Sequence, residues 1–172
     1  MPKTMIEVAD EVLLRRARAG DEAAFVSFAD RWWPVIGRFA WSMLGNVSQA
    51  IAVTEEVLGT VLKSPQAPDI PVGCFMYRLA IWLAIARRRS NGCAVAPVSP
   101  VLQALDRLHR MDRAAFLLRD VEQLPLTETA AILEAPAAEV LAQVHRARVL
   151  LTRLLGDLAS SLDLGYPVRR TA

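Results

Sequence analysis

Histidine, cysteine and lysine are all scarce in this chain. Its 172 residues hold two His, two Cys and, among 20 basic groups, 18 Arg. His109 and His145 stand far apart, with no Cys or acidic cluster at ligand spacing, which argues against a zinc site. Two histidines are too few bases for a nucleophilic triad, and no glycine-rich phosphate loop is present. The sequence therefore reads as a protein with no catalytic centre, no metal and no cofactor. Cys74 and Cys93 form no CxxC pair and read as two reduced thiols of a cytoplasmic protein. The start, MPKTMIEVADE, lacks the apolar core of a signal peptide. The most membrane-like run, Val72–Ala86, is too short to span a bilayer and contains Arg78. A net charge of +2 leaves no excess for coating nucleic acid by bulk attraction. Residues 1–89 carry 11 basic and 9 acidic groups, and residues 90–172 carry 9 of each. Any grip on DNA must come from local clusters.

What the chain does have is apolar content, 53% of its residues, arranged at helical spacing. Almost nothing alternates like a strand. Asp10 reads as the cap of a helix to Ala19, closed by Gly20, and Asp21 as the cap of a long helix to Leu44, closed by Gly45. Pro34 predicts a kink inside that second helix. Ser48 reads as the cap of a third helix to Leu62, with Ile51, Val53, Val57, Leu58 and Val61 inward. Lys63–Pro71 is proline-rich and reads as a loop. A fourth helix, Val72–Arg89, ends in the run Arg87-Arg88-Arg89. The Gly, Pro and small residues of Ser90–Pro100 mark the domain boundary. Ser99-Pro100 is a cap followed by a first-turn proline, so a helix should begin there and run to His109. Helices near Asp112–Glu122, Leu126–Leu133 and Pro136–Leu155 follow, and the tail GYPVRRTA reads as frayed. The last two of these helices, with their proline-marked turn, have the rhythm of a helix-turn-helix. The expectation is an all-α protein of two small helical domains. Residues 1–89 form a four-helix bundle, 90–100 a short linker, and 101–172 the helix-turn-helix domain. Adjacent Trp32 and Trp33 cannot both face inward, so one should be exposed.

With those residues in view, the chain resembles the extracytoplasmic-function (group IV) sigma factors of bacterial RNA polymerase. The resemblance is carried by Asp10–Leu14, Ala17, Gly20–Phe25, Arg38–Ala40, Gly45, Thr54–Val57, Tyr77–Ala80 and the Arg87–Arg89 run. In the second half it rests on Arg113–Glu122, Ala130, Ile132-Leu133, Pro136, Val140 and His145–Arg148. It implies a first domain that binds core polymerase through Thr54, Glu55 and Glu56. That domain would meet the promoter −10 element through Arg78, Trp82, Arg87, Arg88 and Arg89. A second domain would meet −35 DNA through Gln143, His145, Arg146 and Arg148. The implied partners are core polymerase, promoter DNA and an anti-sigma factor or other regulatory protein.

The chain departs from the family's pattern at four places. Acidic positions before Thr54 are Ile51 and Ala52. The pair after Tyr77-Arg78-x-Ala80 is Ile81-Trp82 in place of Arg-Asn, and an indole there can stack on an unpaired base. Glu134 replaces a glycine, and the recognition-helix series Gly-Thr-Val-Lys-Ser-Arg reads Ala138–Gln143. That helix should bury Val140, Leu141, Val144, Ala147, Leu151 and Leu154, with Glu139, Ala142, Gln143, His145 and Arg146 outward. Finally, Asn91–Pro100 can reach at most roughly 36 Å, against promoter boxes roughly 70 Å apart. Two readings follow besides a promoter-reading sigma factor. One is a sigma-like regulator that works by protein contact and reads DNA weakly. The other is a free-standing helix-turn-helix repressor, which leaves the first domain unexplained.

Overall fold

The computed structural model describes residues 3–64, 70–90 and 99–163, with side chains over 9–88 (bar that gap) and 99–157. Every regular element among them is helical. The first half comprises α1 (Lys3–Arg18), α2 (Glu22–Leu44), α3 (Val47–Lys63) and α4 (Val72–Ser90). The second comprises α5 (Pro100–Asp106), α6 (Arg110–Phe116), a π-turn over Leu117–Val121, α7 (Leu126–Leu133) and α8 (Ala137–Asp163).

Local chemistry explains most boundaries. The Asp21 carboxylate accepts from the Ala24 N–H, satisfying one orphan donor at the start of α2. At its other end Gly45 takes φ 68°, the left-handed cap that costs a glycine least. The helix runs unbroken through Pro34. Asn46, not Ser48, caps α3: its side chain accepts from the Gln49 N–H. α1 starts well before the expected Asp10. That residue lies inside the helix, buried, and pairs with Arg31 of α2. Burial pushes the Asp10 carboxyl above its ordinary range, and the Arg31 contact only partly offsets this.

In the first half α1, α3 and α4 pack on α2 around Phe28, Ile36, Phe39, Met43, Val57 and Met76. In the second half α5, α6 and α7 pack on α8 around Leu117, Leu118, Ile132 and Val140. The halves also meet, α4 on α7 and α2 on α5, so one apolar core runs through both. Of the expected linker, residues 91–98 with Cys93 lie outside the described residues, as does the tail; Cys74 is buried.

Two inward stripes differ from expectation. Ile51 faces out, because α3 buries Ala50, Val53, Thr54, Val57, Leu58 and Val61 between α2 and α4. On α8, Leu141 is 51% exposed and Gln143 only 3%. Positions 141 and 143 flank the Val140–Val144–Ala147–Leu151 stripe on opposite sides, and the packed neighbours cover the Gln143 side.

Candidate nucleic-acid and partner interface

The residues singled out in the sequence fall into three neighbourhoods. The first is the α3–α4 edge. Thr54 is fully buried, and its hydroxyl donates to the Ala50 carbonyl at 2.8 Å, so in this conformation its side chain meets no partner. Glu55 is exposed. Glu56 accepts from Arg87 at 2.7 Å, which joins a residue expected at polymerase to one expected at DNA. Beside them lies a shallow apolar hollow of about 170 Å³, lined by Trp33 and Trp41 of α2 with Val47, Ile51 and Thr54 of α3. Trp33 is the exposed member of the tryptophan pair, as the helical spacing requires. Trp32 turns inward, edge-on to Tyr77 at 6.4 Å.

The second neighbourhood is the seam between the halves. Arg78 Nη1 lies 2.8 Å from Glu134 Oε1, and the same guanidinium donates to the Ala131 carbonyl of α7. Arg88 Nη1 lies 2.6 Å from Asp106 Oδ1 and donates to the Met43 carbonyl at 3.3 Å. The Arg89 side chain lies outside the described residues. Trp82 is the most exposed large apolar residue of α4, at 68%. It rims a cavity of about 350 Å³ in which Ile81 and Ile85 of the first half face Met111, Ile132 and Leu133 of the second.

Several seam residues carried no role in the sequence. Arg38 and Tyr77 both donate to the Glu122 carboxylate, at 2.8 and 3.0 Å. Burial, and then that carboxylate, push the Tyr77 hydroxyl well above its ordinary pKa. The π-turn delivers Glu122: its N–H reaches back to the Leu117 carbonyl at 2.8 Å, and Gln123 follows at φ 55°. Arg113 is 2% exposed and donates to the Ser42 carbonyl from Nε (2.9 Å) and Nη2 (2.7 Å), and to Asp106 at 3.1 Å. Burial opposes ionisation of Asp106. Arg88 and Arg113 together outweigh it and hold the carboxyl below its usual range. Long-range pairs of this kind leave no spacing signal in a sequence.

The third neighbourhood is the outer face of α8. His145, Arg146 and Arg148 are exposed there. Arg146 grips Asp112 of α6 with two bonds, at 3.1 and 2.7 Å. Arg148 grips Asp120 likewise, at 2.7 and 2.6 Å. The two pairs differ in setting: Asp112 is buried behind Arg146, whereas the Arg148–Asp120 pair is exposed. Gln143, expected outward, instead donates to Glu139 at 3.3 Å and leaves its Oε1 buried without an acceptor's partner. An unmet buried acceptor costs about 1–3 kcal/mol. Gln143→Met, which keeps the volume, should therefore raise stability by about 1 kcal/mol in urea unfolding; a loss of that size would contradict the burial.

No group of three or more His, Cys, Asp or Glu residues suited to a metal occurs among the described residues. No described helix is long and apolar enough to cross a membrane.

Residues 99–151 match the family described as Sigma-70, region 4. ECF RNA polymerase sigma factor SigW of Bacillus subtilis (strain 168) is 24% identical over 179 residues, covering 84% of this chain and 96% of that protein. The solved structure of CnrH in complex with the cytosolic domain of CnrY superposes with a TM-score of 0.75 at 22% identity. It covers 87% of this chain and 98% of that one. The sigma factor RpoE, in its co-crystal with the anti-sigma factor NepR from Bartonella quintana, gives 0.64 at 18% identity, covering 77% and 96%.

Proposed function

We infer, from a chain that is related to the extracytoplasmic-function sigma factors and carries their region 4, that this protein is a transcription initiation factor. It binds core RNA polymerase and directs it to promoters, and it is not an enzyme. In this reading residues 1–89 serve polymerase and the −10 element, residues 101–172 serve the −35 element, and the protein works in the cytoplasm. Glu55 and Glu56 are the charged part of the polymerase contact, with Thr54 setting their helix in place. Arg78, Trp82 and Arg87–Arg89 serve the −10 side. His145, Arg146 and Arg148 meet −35 phosphates and base edges, and Gln143 shares that role only if α8 repacks. The observation that carries the reading is the region 4 match over 99–151, laid on a helix-turn-helix whose last helix presents His145, Arg146 and Arg148 outward.

Run-off transcription with core polymerase over a genomic template library tests it. Promoter-dependent products support it, and their complete absence sinks it. Trp82 gives a sharper check. Stacking of a base on an indole contributes about 1–3 kcal/mol. Trp82→Ala should thus lower promoter opening by roughly 5- to 150-fold, read by permanganate footprinting, with little loss of polymerase binding or thermal stability.

A second reading, a sigma-like regulator that acts by protein contact, is favoured by the burial of Gln143 and by the carboxylates already seated on Arg146 and Arg148. RpoE was solved with the anti-sigma factor NepR, so an anti-sigma partner belongs to either reading. Salt dependence separates the two. A steep fall of sequence-preferring affinity with salt marks a promoter reader, and a flat one marks the regulator.

A further inference from the structure

We propose that the cavity under Trp82 is a ligand site for an aliphatic monocarboxylate, which lays its chain between α4 and α7 and its carboxylate on Arg110. The site needs neither DNA nor polymerase, so it stands or falls independently of promoter reading.

The space itself asks for an occupant. It measures about 350 Å³. Protein interiors ordinarily leave few voids larger than a water molecule, and a dry apolar cavity of about 150 Å³ already takes up a small hydrocarbon. Here Ile81 and Ile85 of α4 face Met111 of α6 and Ile132 and Leu133 of α7 across open space. All five are buried or half-buried. Water suits such walls poorly, because a held water needs two to four polar partners. The only charged or polar side chains of the lining are Arg110 and Glu134, and both are exposed, which puts them at the mouth.

That mouth carries one uncompensated charge. Glu134 is already engaged, its Oε1 2.8 Å from Arg78 Nη1. The Arg110 guanidinium has no hydrogen-bond or ion-pair partner among the described residues. It therefore offers a free fork of donors, which a carboxylate matches with both oxygens, beside an apolar chamber. A cationic ligand would meet Arg110 with the wrong sign and find Glu134 taken. A neutral one would leave Arg110 idle. Trp82, 68% exposed at the opening, presents indole surface that a methylene chain can cover. At about 30 Å³ per water-sized group the space holds roughly eleven such groups, which suits a chain of about eight to ten carbons.

The probe is sodium octanoate, titrated into the full chain labelled at its Ile, Leu and Met methyl groups and followed by NMR. Octan-1-ol and octylammonium are the comparison arms. A ligand of this size at ordinary efficiency per atom should bind with a Kd on the order of 1 mM. Octanoate should give saturable shifts at Ile81, Ile85, Met111, Ile132 and Leu133, with nuclear Overhauser contacts from its chain to those methyls. Octylammonium should bind at least tenfold more weakly. Arg110→Gln should weaken octanoate at least fivefold and leave octan-1-ol unchanged, and Arg110→Glu should make octylammonium the tighter ligand. Ala86→Phe, at an exposed position of the lining, fills the space and should abolish binding of octanoate and octan-1-ol together. Circular dichroism and thermal melting show whether that variant folds. Arg110 is exposed, so its replacements decide the question even if the filled variant does not fold.

Shifts that rise without saturating, or contacts to methyls elsewhere, overturn the site. So does equal binding of octanoate and octan-1-ol that ignores Arg110→Gln. The cavity would then be a general apolar socket, of the kind a partner protein's side chain fills, and not an acid site.

Discussion

Replacing Arg113 with Ala should destabilise the protein by about 3–5 kcal/mol, the usual cost of removing one partner from a buried charged cluster. For a chain of this length that lowers Tm by on the order of 10 °C. Its guanidinium fills a nearly sealed space, with two of its nitrogens on the Ser42 carbonyl and a third on Asp106. Burial, and then the nearby charge of Arg88, push its pKa down to about 10. It therefore stays charged at neutral pH and keeps its donors. Ala removes the fork, opens a cavity and leaves the Ser42 carbonyl without those donors. Arg113→Lys should recover little, because one ammonium cannot span Ser42 and Asp106 in the planar geometry that Arg offers. Arg113→Met fills the volume without the bonds and should fall between Ala and the parent. Thermal and urea unfolding check the order, and equal stability of all three variants with the parent would falsify this account of the site.

Arg113 also marks the limit of what the sequence could reveal. It appears there as one of 18 arginines, in a segment whose helical spacing is plain. Its burial depends on Ser42, 71 residues away. Helices were legible because their causes are local: the apolar spacing of α2, the Asp21 and Gly45 caps, and the Ser99-Pro100 start of α5. The errors were local ambiguities with two physical solutions. Asn46 and Ser48 are both good caps, and the earlier one captured the Gln49 N–H. Asp10 suits a helix start, but a buried carboxylate facing Arg31 is equally served inside one.

The site was legible as a set of residue types and much less so as a surface. The α8 stripe fixes which turn faces the core, but its two flanks are equivalent in a helical projection. Leu141 and Gln143 exchanged their expected places because α8 is covered on one flank only, and that asymmetry belongs to the packing. The exposure of Ile51 has the same origin, since α3 is held between α2 and α4. Pairing was still less accessible. Nothing in the spacing of Arg78 or Arg88 selects Glu134 or Asp106 over the other acids, so arginines read as free for DNA turn out to be engaged across the seam.

Phe39→Ala should be comparably damaging, at about 3–5 kcal/mol for the loss of a buried phenyl ring. The damage should also reach the seam. The ring is almost fully buried and meets Tyr77 edge-on, with centroids 5.1 Å apart at 78°. Tyr77 in turn donates its hydroxyl to Glu122 across the two halves. Phe39 therefore holds the phenol whose far end holds the second half, and its removal loosens a chain of contacts as well as opening a void. Tyr77→Phe keeps the ring packing and loses only the bond to Glu122, which Arg38 still serves, so its cost should be about 1 kcal/mol. If the two act in series, a double-mutant cycle between Phe39→Ala and Tyr77→Phe should show a coupling energy of about 0.5 kcal/mol or more. Additive costs would mean that Phe39 supports only the first bundle. Closure would then depend on the charged contacts and the apolar seam alone.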